Sequence, residues 1–187
     1  VVREIQTLVE DNPEYSLSDF GILYRTHAQS RLFEEYLRLA KLPYRVYGGL
    51  KFFDRKEVKD VLAYLKLILN PSDSVSLKRI INVPARGIGK TTIDKLESAW
   101  NHQGSLWDAL VNETINGAIF SGRTLKKIHE FRALIETFQS QAAHVPVSEL
   151  FHKILHDTRY VEELKSEGTD EAEERINNLE EFDSMIA

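Results

Sequence analysis

Hydrophobic positions in the first part of the chain predict one strand–helix–strand unit. Residues 20–24 form a short, continuous apolar run of the kind that becomes a buried parallel strand. Residues 44–47 alternate in polarity and predict a second strand. Between the two runs, apolar side chains repeat at helical spacing from Leu32 to Ala40. A strand, a helix and a second strand in this order make up one βαβ unit.

Beyond residue 54 the apolar spacing is helical almost throughout. Between Val58 and Leu69, apolar side chains fall on one stripe of a strongly amphipathic helix. Pro71 and its polar neighbours end that helix. Further helices are predicted over 75–82, 91–101, 106–112, 125–143, 147–157 and from 171 to the end.

These patterns predict an α/β fold followed by an all-α fold, mostly helical overall. The boundary falls near Asp54, so that residues 1–54 form the α/β domain and residues 55–187 the helical domain. One βαβ unit is too small a sheet to be stable by itself. We therefore expect further strands from sequence beyond this chain, and we expect the last helix to be cut from a longer protein as well.

Cysteine content and hydropathy exclude several kinds of site. The chain has no cysteine, so disulfides and thiolate-bound metals are excluded, and a reducing compartment, the cytoplasm, is expected. No apolar run approaches the roughly 20 residues that span a bilayer, so no membrane partner is predicted. His152 and His156 have the spacing of a helical metal pair, but Lys153 stands where a metalloprotease has Glu, and no third ligand is apparent. We predict no metal site.

The distribution of charge permits a DNA-binding face although the net charge is −5. Ten acidic and two basic residues lie between Glu162 and Asp183, where a solvated helical face is expected. The rest of the chain carries 22 Lys and Arg against 19 Asp and Glu. This slightly positive balance is compatible with phosphate binding but does not require it.

Residues 84–91 end in Gly89-Lys90-Thr91 and so resemble the end of a nucleotide-binding P-loop. The first glycine of that motif is replaced by Pro84. Proline lacks an N–H and fixes its own backbone angle, so the loop could not close around phosphates in the usual way. A P-loop is therefore a poor interpretation of this segment.

A turn between two helices explains the same residues better. Gly87 and Gly89 permit tight curvature, and Ile88 is placed to plug the core between the helices. The next helix opens at Lys90, where N–H groups without helical partners can bind a DNA phosphate and Arg86 adds positive charge. A helix-hairpin-helix-like turn of this kind contacts the duplex backbone without reading bases. A simple tight turn with a solvated lysine remains the alternative.

Three long segments occur in an order that resembles the UvrD/PcrA/Rep family of superfamily 1 helicases. They are ILYRTHAQSR at 22–31, PYRVYGGLKFFDRKEVKD at 43–60 and INVPARGIG at 81–89. A later stretch, residues 171–182, resembles a further landmark of the same family. The resemblance therefore extends over nearly the whole chain and begins at helicase motif IV.

The resemblance implies a division of labour within a larger enzyme. Residues 1–54 correspond to the first part of subdomain 2A, a RecA-like motor domain, and residues 55–187 to much of subdomain 2B, a helical insertion. The family couples ATP hydrolysis to 3′-to-5′ movement on single-stranded DNA. Its ATP-binding motifs lie outside this chain, so ATP and Mg²⁺ are expected in the full-length parent, with no bound cofactor and no catalytic residue in this part.

The resemblance also implies two DNA contacts. Arg25 and His27 match motif IV positions that contact the single strand, although the family usually has Asn at the second position. A pairing of Arg25 with an acidic residue of the next helix remains the alternative. Gly87, Ile88 and Gly89 match the duplex-contacting loop of subdomain 2B. With their neighbours Arg86, Lys90 and Thr91 they form the predicted duplex-binding site. Gly48 and Gly49 could form a hinge or a simple strand-ending turn.

Two hypotheses of different classes follow from the sequence. The first is a DNA-contacting part of a helicase, whose partners are a junction of single strand and duplex, the remaining helicase domains, and repair or replication proteins. The second is a protein-interaction or autoregulatory helical module for which DNA contact is incidental. Salt dependence separates the two, because phosphate binding weakens steeply as salt rises.

Overall fold

A computed structural model describes residues 1–24, 29–46, 52–100 and 104–187. The chain divides into two compact units, Val1–Arg55 and Lys56–Ala187. Arg25, His27, Gly48 and Gly49 lie outside the described residues, so the predicted single-strand contact and hinge stay predictions.

The described residues of the first unit include two helices and short 3₁₀ turns. Helix α1 covers Val2–Asp11 and α2 covers Ser30–Leu39, and the 3₁₀ turns are Leu17–Asp19 and Phe52–Asp54.

Glu34 on α2 organises this unit, because its buried carboxylate accepts hydrogen bonds from three directions. The donors are the Ser30 hydroxyl at 3.0 Å, the Tyr44 hydroxyl at 3.3 Å and the Phe52 amide at 3.4 Å. A buried carboxylate needs such partners to offset its desolvation.

The predicted βαβ unit is wrong for the described residues. Residues 20–24 and 44–46 are irregular, and no described residue belongs to a strand. A strand needs the backbone of a neighbouring strand as its hydrogen-bond partner, and the described residues supply none. The apolar run is only partly buried: Phe20, Ile22 and Tyr24 are half-buried, whereas Leu23 is 97% exposed and a Cβ placed on Gly21 would meet no atom within 4 Å. The helical character expected overall is present.

The second unit is built from helices throughout the part of it that the structure describes. They are α3 Lys56–Leu69, α4 Ser74–Ile80, α5 Lys90–Trp100, α6 Leu106–Asn116, α7 Gly122–Ala142, α8 Val147–Thr158, α9 Tyr160–Glu167 and α10 Asp170–Ile186. Side chains at the helix starts fix several of these boundaries. Asp73 caps α4 by accepting from the amides of Val75 and Ser76, and Ser105 caps α6 by accepting from the amide of Asp108.

The core of the second unit forms around α3 and α7. Helix α7 directs one face inward through four completely buried residues at helical spacing, Ile128, Phe131, Ile135 and Phe138. Apolar residues of α3, α4, α5 and α6 pack with them in one cluster. The turn between α4 and α5 joins the same cluster and holds the candidate site.

Candidate nucleic-acid interface

The turn between α4 and α5 is folded around the side chain of Asn82. Its Oδ1 accepts a hydrogen bond from the amide of Arg86 at 2.8 Å and from the amide of Ile88 at 3.1 Å. One carboxamide oxygen thus satisfies two donors of the loop and fixes their spacing. Asn82 was not among the predicted site residues, although asparagine commonly bonds nearby backbone in turns.

Ile88 anchors the turn in the core. Its side chain is completely buried and belongs to the central hydrophobic cluster. The residues on either side of Ile88 are exposed, so in this part of the turn the buried residue lies between two surface residues. Any contact of Ile88 with DNA would therefore have to come from its backbone.

Arg86 faces inward as well. Its Nη1 donates to the carbonyls of Ile80, Val83 and Pro84 at 3.0, 3.1 and 3.2 Å. Its Nη2 donates to the Tyr64 hydroxyl on α3 at 2.6 Å. Sequence reasoning placed this charge beside the DNA, whereas the structure uses the guanidinium to join the turn to α3 and α4.

Two aromatic residues, Phe131 and Tyr64, also contact the Arg86 side chain. The guanidinium carbon lies 5.5 Å from the ring centroid of Phe131 on α7, within range of a cation–π interaction. Burial is the largest cause that raises the pKa of Tyr64 to about 12, while the nearby Arg86 opposes that shift. Tyr64 is therefore neutral at physiological pH and donates its own hydrogen to the Val83 carbonyl at 2.6 Å.

A further hydrogen bond ties the start of the turn to the C-terminal helices. The amide of Ala85 donates to Oε2 of Glu163 on α9 at 3.0 Å. Four elements therefore hold the turn in place, namely α3, α4, α7 and α9.

The exposed side of the turn consists of Gly89, Lys90 and Thr91. The Gly89 carbonyl accepts from the amides of Thr92 and Ile93 at 3.0 and 3.3 Å, which begins α5. In the described ranges, no residue accepts a hydrogen bond from the amides of Gly89, Lys90 or Thr91. A helix start with unpaired N–H groups favours an anion.

The two glycines of the turn have different surroundings. Gly87 has a φ of +70°, in the left-handed region that side chains rarely adopt. A Cβ at Gly87 would also collide with Nζ of Lys127. A Cβ at Gly89 would meet no atom within 4 Å, so the backbone there lies open to a close approach.

Lys127 is, like Asn82, a residue near the turn that sequence reasoning missed. It lies on α7, far from the turn in sequence, and its half-buried side chain reaches Gly87. No motif marks it. The folding of α7 against the turn brings the two residues together.

The other sequence features show structural pairings. His152 contacts Asp183 at 2.7 Å and His156 contacts Asp157 at 2.8 Å. In the part of the chain that the structure describes, no group of three or more His, Cys, Asp or Glu residues could hold a metal ion. Within those same ranges, no helix combines the length and the apolar character that crossing a membrane demands.

Comparison with known proteins places the chain in a family. The sequence profile of the UvrD-like helicase C-terminal domain matches residues 1–187. The ATP-dependent DNA helicase PcrA of Bacillus subtilis is 44% identical over 170 residues, which cover 90% of this chain and 23% of that protein. PcrA of Staphylococcus aureus and PcrA of Staphylococcus epidermidis are each 38% identical over 186 residues, covering 99% of this chain and 25% of theirs. The chain thus spans about a quarter of the length of these relatives. It belongs to the family of UvrD-like helicase C-terminal domains.

Proposed function

We propose that this chain is a DNA-gripping part of an ATP-dependent 3′-to-5′ DNA helicase and that the turn at 86–91 holds the backbone of duplex DNA. The observation that carries the proposal is that the amides of the exposed residues Gly89, Lys90 and Thr91 have no hydrogen-bond acceptor among the residues that the structure describes. Backbone N–H groups at a helix start bind phosphate without reading bases. The similar proteins are named as DNA helicases.

The rigidity of the turn supports this role. Asn82 fixes two of its amides, Arg86 joins it to three carbonyls and Tyr64, and Ile88 anchors it in the core. A site whose geometry is fixed before binding loses less entropy when the ligand arrives. In this proposal Arg86 and Ile88 shape the turn, and its other residues touch the phosphates: Gly87, Gly89, Lys90 and Thr91.

The wider assignments are part of the same proposal. Residues 1–54 belong to subdomain 2A, with Arg25 and His27 on the single strand and Gly48 and Gly49 as a hinge, and residues 55–187 belong to subdomain 2B. Other segments of the full-length protein bind ATP and Mg²⁺. Residues 84–91 do not fit a nucleotide, because Pro84 replaces the first P-loop glycine and the Ile88 side chain points into the core.

Fluorescence anisotropy with a labelled blunt duplex tests the role of the turn. The informative variant is Gly89→Asp, because the backbone there has space for a side chain and Asp is favoured before a helix. Its carboxylate would accept from the amides of α5 and repel phosphate. We expect the variant to keep its helix content and thermal stability but to bind duplex at least about tenfold more weakly, a change of about 1.4 kcal/mol.

Gly21→Asp is the matched control, since Gly21 is equally open and the change in net charge is the same. Gly21→Asp should bind the blunt duplex nearly as well as the unaltered chain, and binding should weaken as salt rises. Equal affinity of the Gly89→Asp variant and the unaltered chain would refute the proposed site. Absence of duplex binding by the folded chain at low salt would instead favour the protein-interaction role.

A further inference from the structure

The ammonium of Lys127 lies against the turn beside Gly87. The space that a Cβ on Gly87 would fill is already taken by Nζ of Lys127, and Cε of the same lysine lies 3.4 Å from that position. Gly87 therefore allows the lysine to lie directly over the loop backbone. This contact places a charged residue of α7 against the turn between α4 and α5.

Lys127 has no carboxylate partner among the described residues, although its neighbour does. Lys126 pairs with Glu130 one turn along α7 at 3.8 Å. The corresponding position one turn after Lys127 is Phe131, which is completely buried, and the position one turn before it is Arg123. The positions four residues before and after Lys127 therefore carry no carboxylate, and Glu130, three residues after it, pairs with Lys126 instead.

The side chain of Lys127 is half-buried, and no described carboxylate pairs with its ammonium. The aliphatic part of the side chain can pack on apolar neighbours, but the charged end still favours an anion. The same turn continues from Gly87, beside the ammonium, to the exposed residues Gly89, Lys90 and Thr91 at the start of α5. An anion bound at the turn would therefore be attracted by Lys127 as well as by the start of α5.

We propose that Lys127 is a phosphate-binding residue of the duplex interface and that it completes, from α7, the site formed by the turn and the start of α5. The inference rests on the proposed function and names a residue that neither the sequence motif nor the family match indicates. The ligand class is the phosphodiester backbone of duplex DNA. Lysine binds such a phosphate as a point charge, so the contact adds affinity and no base specificity.

The geometry also assigns a second purpose to Gly87. Besides adopting a positive φ, Gly87 leaves room for the ammonium of Lys127. A side chain at Gly87 would displace Lys127 from the turn, so Gly87 and Lys127 act on duplex binding as a unit. Their effects should therefore be less than additive.

The test measures affinity for a labelled blunt duplex against salt concentration for Lys127→Met, which keeps the length and apolar stem but removes the charge. Each phosphate neutralised contributes about 0.9 to the slope of log affinity against log salt. We expect Lys127→Met to reduce that slope by about 0.9 and to weaken binding several-fold at low salt. Lys127→Arg keeps the positive charge, so it should retain most of the salt slope and most of the affinity at low salt.

Lys126→Met is the matched control, because it removes one lysine from the next position of the same helix. The exposed side chain of Lys126 is paired with Glu130. The salt slope and the duplex affinity of Lys126→Met should therefore stay close to those of the unaltered chain. The role of Lys127 is refuted, and the proposed function survives, if Lys127→Met and Lys126→Met change the slope equally. The same holds if neither variant changes the slope while Gly89→Asp still weakens duplex binding about tenfold. Failure of the unaltered folded chain to bind duplex refutes both.

Discussion

The hydroxyl of Tyr64 lies between Arg86 and the backbone it supports. It accepts a hydrogen bond from Nη2 of Arg86 at 2.6 Å and donates one to the carbonyl of Val83 at 2.6 Å. A single phenol on α3 thus connects both the side chain and the backbone of the turn. The shape of the proposed phosphate site depends on a residue that does not itself reach the surface.

Tyr64→Phe removes both hydrogen bonds while keeping the ring. The Val83 carbonyl loses a donor and Arg86 loses an acceptor in a largely buried place, so we expect the free energy of unfolding to fall by about 1–3 kcal/mol. Urea denaturation followed by circular dichroism measures this change. Tyr15→Phe is the control, since the Tyr15 side chain is 45% exposed, and it should leave the urea midpoint unchanged. Equal midpoints for the two variants would contradict the account.

Alkaline pH should weaken the same contact. Burial raises the pKa of Tyr64 to about 12 from the usual 10.0. Because the folded state favours the neutral phenol, this contribution to stability is complete below about pH 10 and is lost as the pH rises towards 12. Burial and Asp60 also raise the pKa of Tyr160, which adds loss in the same direction. The range from pH 9 to pH 11 brackets the usual tyrosine pKa of about 10. Over this range, the urea midpoint of Tyr64→Phe should fall less than that of the unaltered chain. An identical fall in that variant would show that Tyr64 does not contribute.

Ile88 should be the residue of the turn on which stability depends most. Its side chain is completely buried, so Ile88→Ala leaves a cavity and should cost about 2–5 kcal/mol, whereas Ile88→Val should cost about 0.5–1.5 kcal/mol. Val75→Ala, at a position that is 80% exposed, should change stability by less than about 0.5 kcal/mol. Chemical denaturation of the three variants tests the order. An Ile88→Ala variant as stable as Val75→Ala would mean that Ile88 is not anchored in the core.

The same substitution at the two glycines should have opposite consequences for stability. Gly87→Ser forces a side chain into a positive φ, at about 1–2 kcal/mol, and displaces Lys127. Gly89→Ser meets open space and supplies a hydroxyl that favours the start of α5, so it should be neutral or slightly stabilising. Thermal unfolding distinguishes them. A loss of stability at Gly89 as large as that at Gly87 would contradict the geometry of the turn.

Local sequence patterns were enough to predict most helices of the second unit. The predicted helix over 147–157 corresponds to α8 at Val147–Thr158, and the prediction over 91–101 corresponds to α5 at Lys90–Trp100. These helices place their apolar residues against one core, so periodicity alone reveals them. Helix α9, Tyr160–Glu167, is not among the predicted helices, although a solvated helical face is expected from Glu162 onward; the structure buries its Tyr160 and Leu164. It begins directly after Arg159, which ends α8 in the left-handed conformation.

The predicted strands failed for a reason that sequence periodicity cannot detect. An apolar run indicates that residues can be buried, but it does not supply the neighbouring strand that a ladder requires. Residues 20–24 have the run, but no described residue belongs to a strand. A related limit applies to the turn. Sequence reasoning identified the glycines of the turn and the burial of Ile88. The inward direction of Arg86 and the contact of Lys127 with Gly87 depend instead on how helices that are distant in sequence pack together.

The most direct test of the central claim is an NMR titration of the ¹⁵N-labelled chain with unlabelled blunt duplex. If the turn holds a DNA phosphate, the amide signals of Gly87, Gly89, Lys90 and Thr91 should shift as duplex is added and should do so less at higher salt. The amides of Gly117 and Gly168, which also have positive φ but lie at other helix ends, should stay in place. Binding that shifts amides elsewhere and leaves the four signals of the turn unchanged would contradict the account.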